Sequence, residues 1–358
     1  IRVEYSDLES APAVLLVSFE PEDESPIVFL RLRKASRSGT RVFSVGSGAT
    51  HGLEKMAGTC IPAAPGLEAS VLDQLPQDVR DGLAEPGAVI MVGERAAGSP
   101  GALSAAVRLA ESTGAALAWV PRRAGERGAL DAGALAGLLP GGRPLSDASA
   151  RAEIAQAWGI AASELPQPGL SGVELHDAVS AGRVSAALVG GVEPADYPLD
   201  AVEALRELDF VVSLENHHSA VTELADVVLP VAVVSEKSGT FVDWEGRPRP
   251  FGQVFRDAMM GSDAYVLGML ASALDAAQPS SVGDIRAELG RLGPWSGPRA
   301  PFAPVTQPQP AAQEPGVRLD TWRLLLDLGV MQEGDPHLAA TARPTAARMS
   351  PGTAQQHS

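Results

Sequence analysis

The chain has 358 residues, of which 45% are hydrophobic, 20% charged and 4% aromatic, and its formal net charge is −16. That is globular composition with a core to be built from Ala, Val and Leu, which suits close helix–sheet layers; the acidic balance argues against a nucleic-acid partner, which needs a basic face. The one cysteine, Cys60, leaves no disulfide framework, cysteine-ligated iron–sulfur cluster or four-cysteine zinc site within these residues.

Short β-branched runs alternate with helical patterns. Residues 14–17 predict a strand that enters a turn at Glu20 and Pro21, and residues 27–37 a helix with a basic C-terminal end. Strands follow at 41–45, ended by Gly46, at 88–92, and at 116–120, stopped by Pro121, with a helix over 102–113 between the last two. Three more strands are expected at 186–189, ended by Gly190 and Gly191, at 210–214 and at 226–229. Continuous apolar strands separated by helices mean a mostly parallel sheet covered on both faces. The expected class is therefore α/β, with a doubly wound sheet whose ligand sites lie beyond the C-terminal strand ends.

Residues 1–255 are assigned to that domain. Residues 256–292 are expected as a helical extension, with helices over 264–277 and 282–292. Residues 293–316, rich in Pro, Ala and Gln, are expected as a linker. Residues 317–358 follow, with a helix over 318–328 and a tail too short for a core of its own. No apolar run approaches the roughly 20 residues that span a bilayer, and no direct membrane insertion is expected. The opening Ile1-Arg2-Val3-Glu4 lacks the apolar stretch of a secretion signal. The chain is expected to be soluble and cytoplasmic and, starting without Met, a fragment.

Five stretches bear on chemistry. Gly46-Ser47-Gly48-Ala49-Thr50-His51-Gly52 follows a strand, as a dinucleotide fingerprint does, but its third glycine falls one residue late. A plain strand-to-helix turn accounts for it. Gly190-Gly191-Val192-Glu193-Pro194 has the glycines of a strand-end ligand rim, with Glu193 placed to repel phosphate. His217 and His218 are adjacent, so in extended chain they point to opposite sides and make a poor metal clamp, even with Glu215 and Glu223 near in sequence. Cys60 fits a small buried residue better than a nucleophile. The stretch from Glu236 through Gly239, Phe241 and Trp244 to Arg247 is a turn, an extended segment and a second turn, whose bulky residues suggest that it folds over something.

That last stretch, with Ala225-Asp226-Val227-Val228-Leu229-Pro230 before it, resembles the molybdopterin oxidoreductase superfamily, where an A-D-V-V-L-P strand precedes E-x-x-G-T-F and an E-G-R element. Residues 13–26 are similar to the strand and loop near that family's first nucleotide-like half. Within the superfamily the chain resembles the branch of large peripheral-arm subunits of bacterial complex I, over about residues 7–255. Residues 337–344 look like the lead-in to a C-terminal barrel. Molybdenum enzymes of the family commonly carry Asn after the first strand and in a later G-x-N-P loop; here Glu20 and Glu193 stand there, and a carboxylate beside a pyrophosphate costs Coulomb energy.

The resemblance thus implies a structural domain with no catalytic residue, metal or cofactor in this segment. Glu20, Pro21, Gly190, Gly191, Glu193, Pro194, Glu236, Gly239 and Arg247 would form the rim of a vestigial pocket. For the whole subunit it implies 4Fe-4S and 2Fe-2S clusters, electron transfer from NADH toward quinone, other peripheral-arm subunits as partners, and a place on the cytoplasmic side of the cell membrane. The alternatives are a fragment of a formate-dehydrogenase-like molybdopterin enzyme and a nucleotide-binding module built on residues 46–52.

Overall fold

The computed structural model describes residues 3–196, 200–256, 259–276, 281–299, 304–305, 317–324, 326, 332 and 334–357. The chain forms two compact units, Ile1–Arg123 with Phe302–Ser358, and Ala124–Pro301.

The first unit begins with α1 (Tyr5–Ser10) and β1 (Ala13–Val17), whose five apolar residues are all buried, as a central strand requires. After α2 (Pro21–Glu24) comes α3 (Pro26–Ser36), which starts on proline and carries Arg33 and Lys34 in its last turn, where the helix dipole favours cations. Then follow β2 (Arg41–Gly46), α4 (His51–Lys55), β3 (Thr59–Pro62), α5 (Glu68–Asp73), α6 (Gln77–Leu83) and β4 (Val89–Val92). A 3-10 turn (Glu94–Gly98), α7 (Ala102–Thr113) and β5 (Ala116–Trp119) complete the series. α7 stops where Gly114 takes a left-handed φ of 79°.

The sheet order is β3-β2-β1-β4-β5, and every pairing is parallel. One face packs Leu15, Val17, Phe43 and Ile90 against Leu72, Val79, Leu83, Ala105 and Leu109. Small alanines on α7 bring helix and sheet close, so scarce aromatics are no handicap.

The second unit holds α8 (Glu126–Asp131), the short antiparallel pair β6 (Leu138–Leu139) and β7 (Arg143–Pro144), α9 (Ala148–Trp158) and α10 (Val173–Ser180). It continues with β8 (Ala186–Gly190), α11 (Ala201–Arg206), β9 (Phe210–Glu215), α12 (Ala220–Leu224) and β10 (Val227–Pro230). These three strands make a parallel sheet in the order β10-β9-β8. The hairpin β11 (Gly239–Val242) and β12 (Pro248–Phe251), α13 (Asp263–Ala273) and α14 (Val282–Leu292) close the unit. Short helices α15 (Pro336–Ala339) and α16 (Pro351–His357) lie in the returning segment.

The α/β class with parallel sheets is as expected, but the seven anticipated strands divide between two sheets. β3, an edge strand whose Thr59 and Pro62 are exposed, was not anticipated. The helix expected over 318–328 is a correction: residues 317–324 run without regular structure. Instead the side chains of Arg318, Asp320 and Trp322 bond to loops beyond the strands of the first unit. Residues 325 and 327–328 of that expectation, residue 277 of the 264–277 helix, and residues 300–303 and 306–316 of the linker lie outside the described residues. Among the described residues no helix is long and apolar enough to cross a membrane.

Candidate functional site

In the first unit the chain leaves β1 toward β2 and β3, then returns to β4 and β5 on the other side. The crevice at such a reversal opens between the loops after β1 and β4, the usual ligand position in this topology. Here those loops close on each other. A Cβ on Gly93 would come within 2.6 Å of Ser18 O and 2.9 Å of Phe19 Cβ. Ser18 itself is buried at a left-handed φ of 47°, unusual for a residue with a side chain.

Glu20 follows at once and is 3% exposed. Its carboxylate caps α2 by accepting from Glu22 N at 3.2 Å, and it bonds the Thr50 hydroxyl. It packs where any side chain on Gly52 would stand. Gly52 therefore serves Glu20 rather than a phosphate, which answers the weak glycine fingerprint of residues 46–52. Burial pushes the Glu20 carboxyl above the usual carboxylate range, against its hydrogen bonds. Glu24 is pushed up in the same way, opposed by Arg95, whose Nε lies 3.6 Å from Glu24 Oε1. Glu24 also accepts from Glu20 N. Lys55 pairs with Glu22.

The crest thus brings Glu20, Glu22, Asp23 and Glu24 together around Arg95 and Lys55. Arg95 is further engaged by residues of the returning segment: Asp320 Oδ1 lies 3.4 Å from Nη1, and the Trp322 ring lies 5.6 Å from the guanidinium. A pyrophosphate-bearing ligand such as a pterin dinucleotide does not fit these residues. It would set further negative charge beside buried carboxylates, in a gap that Ser18, Phe19 and Gly93 already fill.

Of the anticipated rim, Glu20 and Pro21 lie in this unit, and both are buried. The others lie in the second unit. Gly190 ends β8, Gly191 takes a φ of 61°, and Glu193 accepts from Ala195 N at 3.2 Å, so its carboxylate shapes its own turn. Pro194, buried, opens a 3-10 turn. Glu236 ends another short 3-10 turn. Gly239 opens β11, where it leaves room for the Phe251 ring, which stacks on Phe241 at 4.8 Å between centroids. Arg247 pairs with buried Glu245 at 3.2 Å, and Asp243 accepts from Arg247 N at 2.9 Å. Trp244 is buried, while Phe241 is 37% exposed.

His217 Nδ1 lies 2.7 Å from Asn216 Oδ1 and 3.4 Å from Glu215 Oε1, all three at the C-terminal end of β9 and its following turn. Cys60 sits half-buried on β3, and burial pushes its thiol pKa up, away from the reactive thiolate. The reading of the sequence missed Asp23, Glu24, Arg95, Asp320 and Trp322. Arg95 had a usable signal, standing three residues past a strand end; Asp320 and Trp322 had none.

The family model for molybdopterin oxidoreductases matches residues 2–259. The G subunit of NADH-quinone oxidoreductase from Mycobacterium bovis is 52% identical over 366 residues, covering 99% of this chain and 45% of that protein. The chain therefore spans about half the length of that relative. A putative formate dehydrogenase of Bacillus subtilis is 32% identical over 178 residues, covering 47% of this chain and 17% of that protein. Among solved structures, acetylene hydratase from Pelobacter acetylenicus has a TM-score of 0.50 at 14% identity, covering 76% of this chain and 50% of that one. At that identity the likeness speaks for the fold alone.

Proposed function

The chain belongs to the molybdopterin oxidoreductase family, and from that premise we propose that it is a cofactor-free structural portion of a large peripheral subunit of NADH-quinone oxidoreductase. The observation that carries this reading is 52% identity to the G subunit of that enzyme along 99% of the chain. The formate-dehydrogenase-like alternative has a likeness to less than half of it. In the proposed whole subunit, 4Fe-4S and 2Fe-2S clusters held outside these residues move electrons from NADH toward quinone. The partners are other peripheral-arm subunits, and the assembly sits on the cytoplasmic side of the cell membrane.

Within it this segment does no chemistry. What supports that is the crest, where buried Glu20 and Glu24 and the close approach of Gly93 to Ser18 fill the place in which the family's dinucleotide would lie. The vestigial rim is then confined to Glu20 and Pro21 in the first unit, while Glu193 and Arg247 stabilise turns of the second and Glu236 ends one. Elemental analysis of the purified chain tests the reading. It is expected to find neither molybdenum nor iron; near one molybdenum, or several irons, per chain would overturn it.

A further inference from the structure

Each of the four loops beyond β1 to β4 holds a contact from residues 318–322. Arg318 Nη1 donates to Pro65 O, beyond β3, at 2.9 Å. Asp320 Oδ2 accepts from Ser47 Oγ, beyond β2, at 2.5 Å. Its other oxygen faces Arg95, beyond β4. Trp322 Nε1 donates to Asp23 Oδ2, beyond β1, at 3.0 Å, while its ring meets the Arg95 guanidinium. The other Asp23 oxygen lies 3.4 Å from Arg343 Nη1, farther along the same returning chain.

These are contacts of the kind a small nucleotide makes at strand ends. An anionic group sits on an arginine and a serine hydroxyl, and a flat ring stacks on a guanidinium while its N–H reaches a carboxylate. We propose that residues 318–322 are an intramolecular ligand of the crest, with Asp320 standing where a phosphate would and Trp322 where a base would. The proposal rests on the cofactor-free reading and deepens it, by naming what covers the crest instead.

Charge explains why a peptide suits this place and a phosphate does not. Around Arg95 and Lys55 the crest carries Glu20, Glu22, Asp23 and Glu24. The segment itself is charge-balanced, Arg318 against Asp320, and farther along the returning chain Arg343 faces Asp23, so together they add positive rather than negative charge. A phosphate would add about two negative charges at neutral pH. Tethering completes the argument: a segment on the same chain acts at an effective concentration on the order of millimolar, so modest contacts keep it bound.

The test uses the full chain carrying Asp320→Ala and Trp322→Ala together, with circular dichroism to verify the fold. A fluorescein-labelled peptide of residues 317–324 is titrated by anisotropy into this variant and into the unaltered chain. The peptide is expected to bind the variant about tenfold or more tightly than the unaltered chain, whose crest is already occupied. A peptide with the same two alanines is expected to bind neither. Equal binding to both chains, or none to the variant, would overturn the proposal. Hydrogen exchange at residues 18–25 and 93–98 is expected to speed up in the variant, and unchanged exchange would also overturn it. Elemental analysis separates the two readings: molybdenum in the chain defeats the cofactor-free reading, whereas a metal-free chain whose variant ignores the peptide defeats this proposal alone.

Discussion

Replacing Gly93 by alanine probes whether the crest is closed. Gly93 has φ −88° and ψ 169°, a conformation open to any residue, so the substitution carries no backbone strain. What it meets is steric. The new Cβ would lie 2.6 Å from Ser18 O, 2.9 Å from Phe19 Cβ and 3.1 Å from Phe19 Cα. Two of those atoms are backbone and cannot swing aside, so the upper part of the usual overpacking range applies, about 2–3 kcal/mol. Stiffening of the unfolded chain returns roughly 0.4–1 kcal/mol. The net loss is about 1–2.5 kcal/mol, or roughly 2–10 °C in melting temperature for a unit of this size. Gly98 is the matched control, at the end of the same turn with nothing within 4 Å of its Cβ. Gly98→Ala is expected to leave the melting temperature unchanged or slightly raised. Thermal unfolding by circular dichroism reads both, with hydrogen exchange on β1 reporting on the first unit. Gly93→Ala as benign as Gly98→Ala would mean that the loops stand apart, and the crest would again be open to a ligand.

Glu20→Gln is expected to change how stability depends on pH. Burial raises the folded-state pKa of Glu20 above its unfolded value, so the native state binds more protons than the unfolded state between the two, and wild-type stability falls as pH rises through that interval. Gln stays neutral, so the variant gains on wild type as pH rises and holds that gain above the folded pKa; parallel stability–pH curves from urea unfolding would contradict this. In the second unit, the buried Arg143 guanidinium donates to Pro140 O, Leu292 O and Gly293 O at 2.8–2.9 Å and pairs with Glu153. Arg143→Ala is expected to lower stability by about 2–4 kcal/mol, and Arg143→Lys to recover little, because one ammonium cannot reach three carbonyls. A wild-type urea midpoint for either variant would refute this role.

Most strands and the long helices were legible from local pattern. Continuous apolar runs such as β1 and β4 must be buried on both faces wherever they sit, and α7 is bounded by glycines that end a helix in almost any context. The acidic character of the loop at Glu20 was also visible, because charge is a property of the residue itself. The packing of strands into two sheets was not, since an apolar run names no partner: β1 is wholly buried, whereas Leu188 of β8 and Val227 and Val228 of β10 are exposed. Nor was the irregular course of residues 317–324, where a helical pattern gave way to bonds with distant loops. Asp320 meets Ser47 across 273 positions and Trp322 meets Asp23 across 299. Such contacts depend on where the tertiary structure returns the chain, and no local spacing encodes them. The sequence alone therefore determined the class of fold and the sign of charge at the crest, while only the tertiary structure decided that Gly52 makes room for Glu20 and that the chain's own tryptophan and aspartate cover the strand ends.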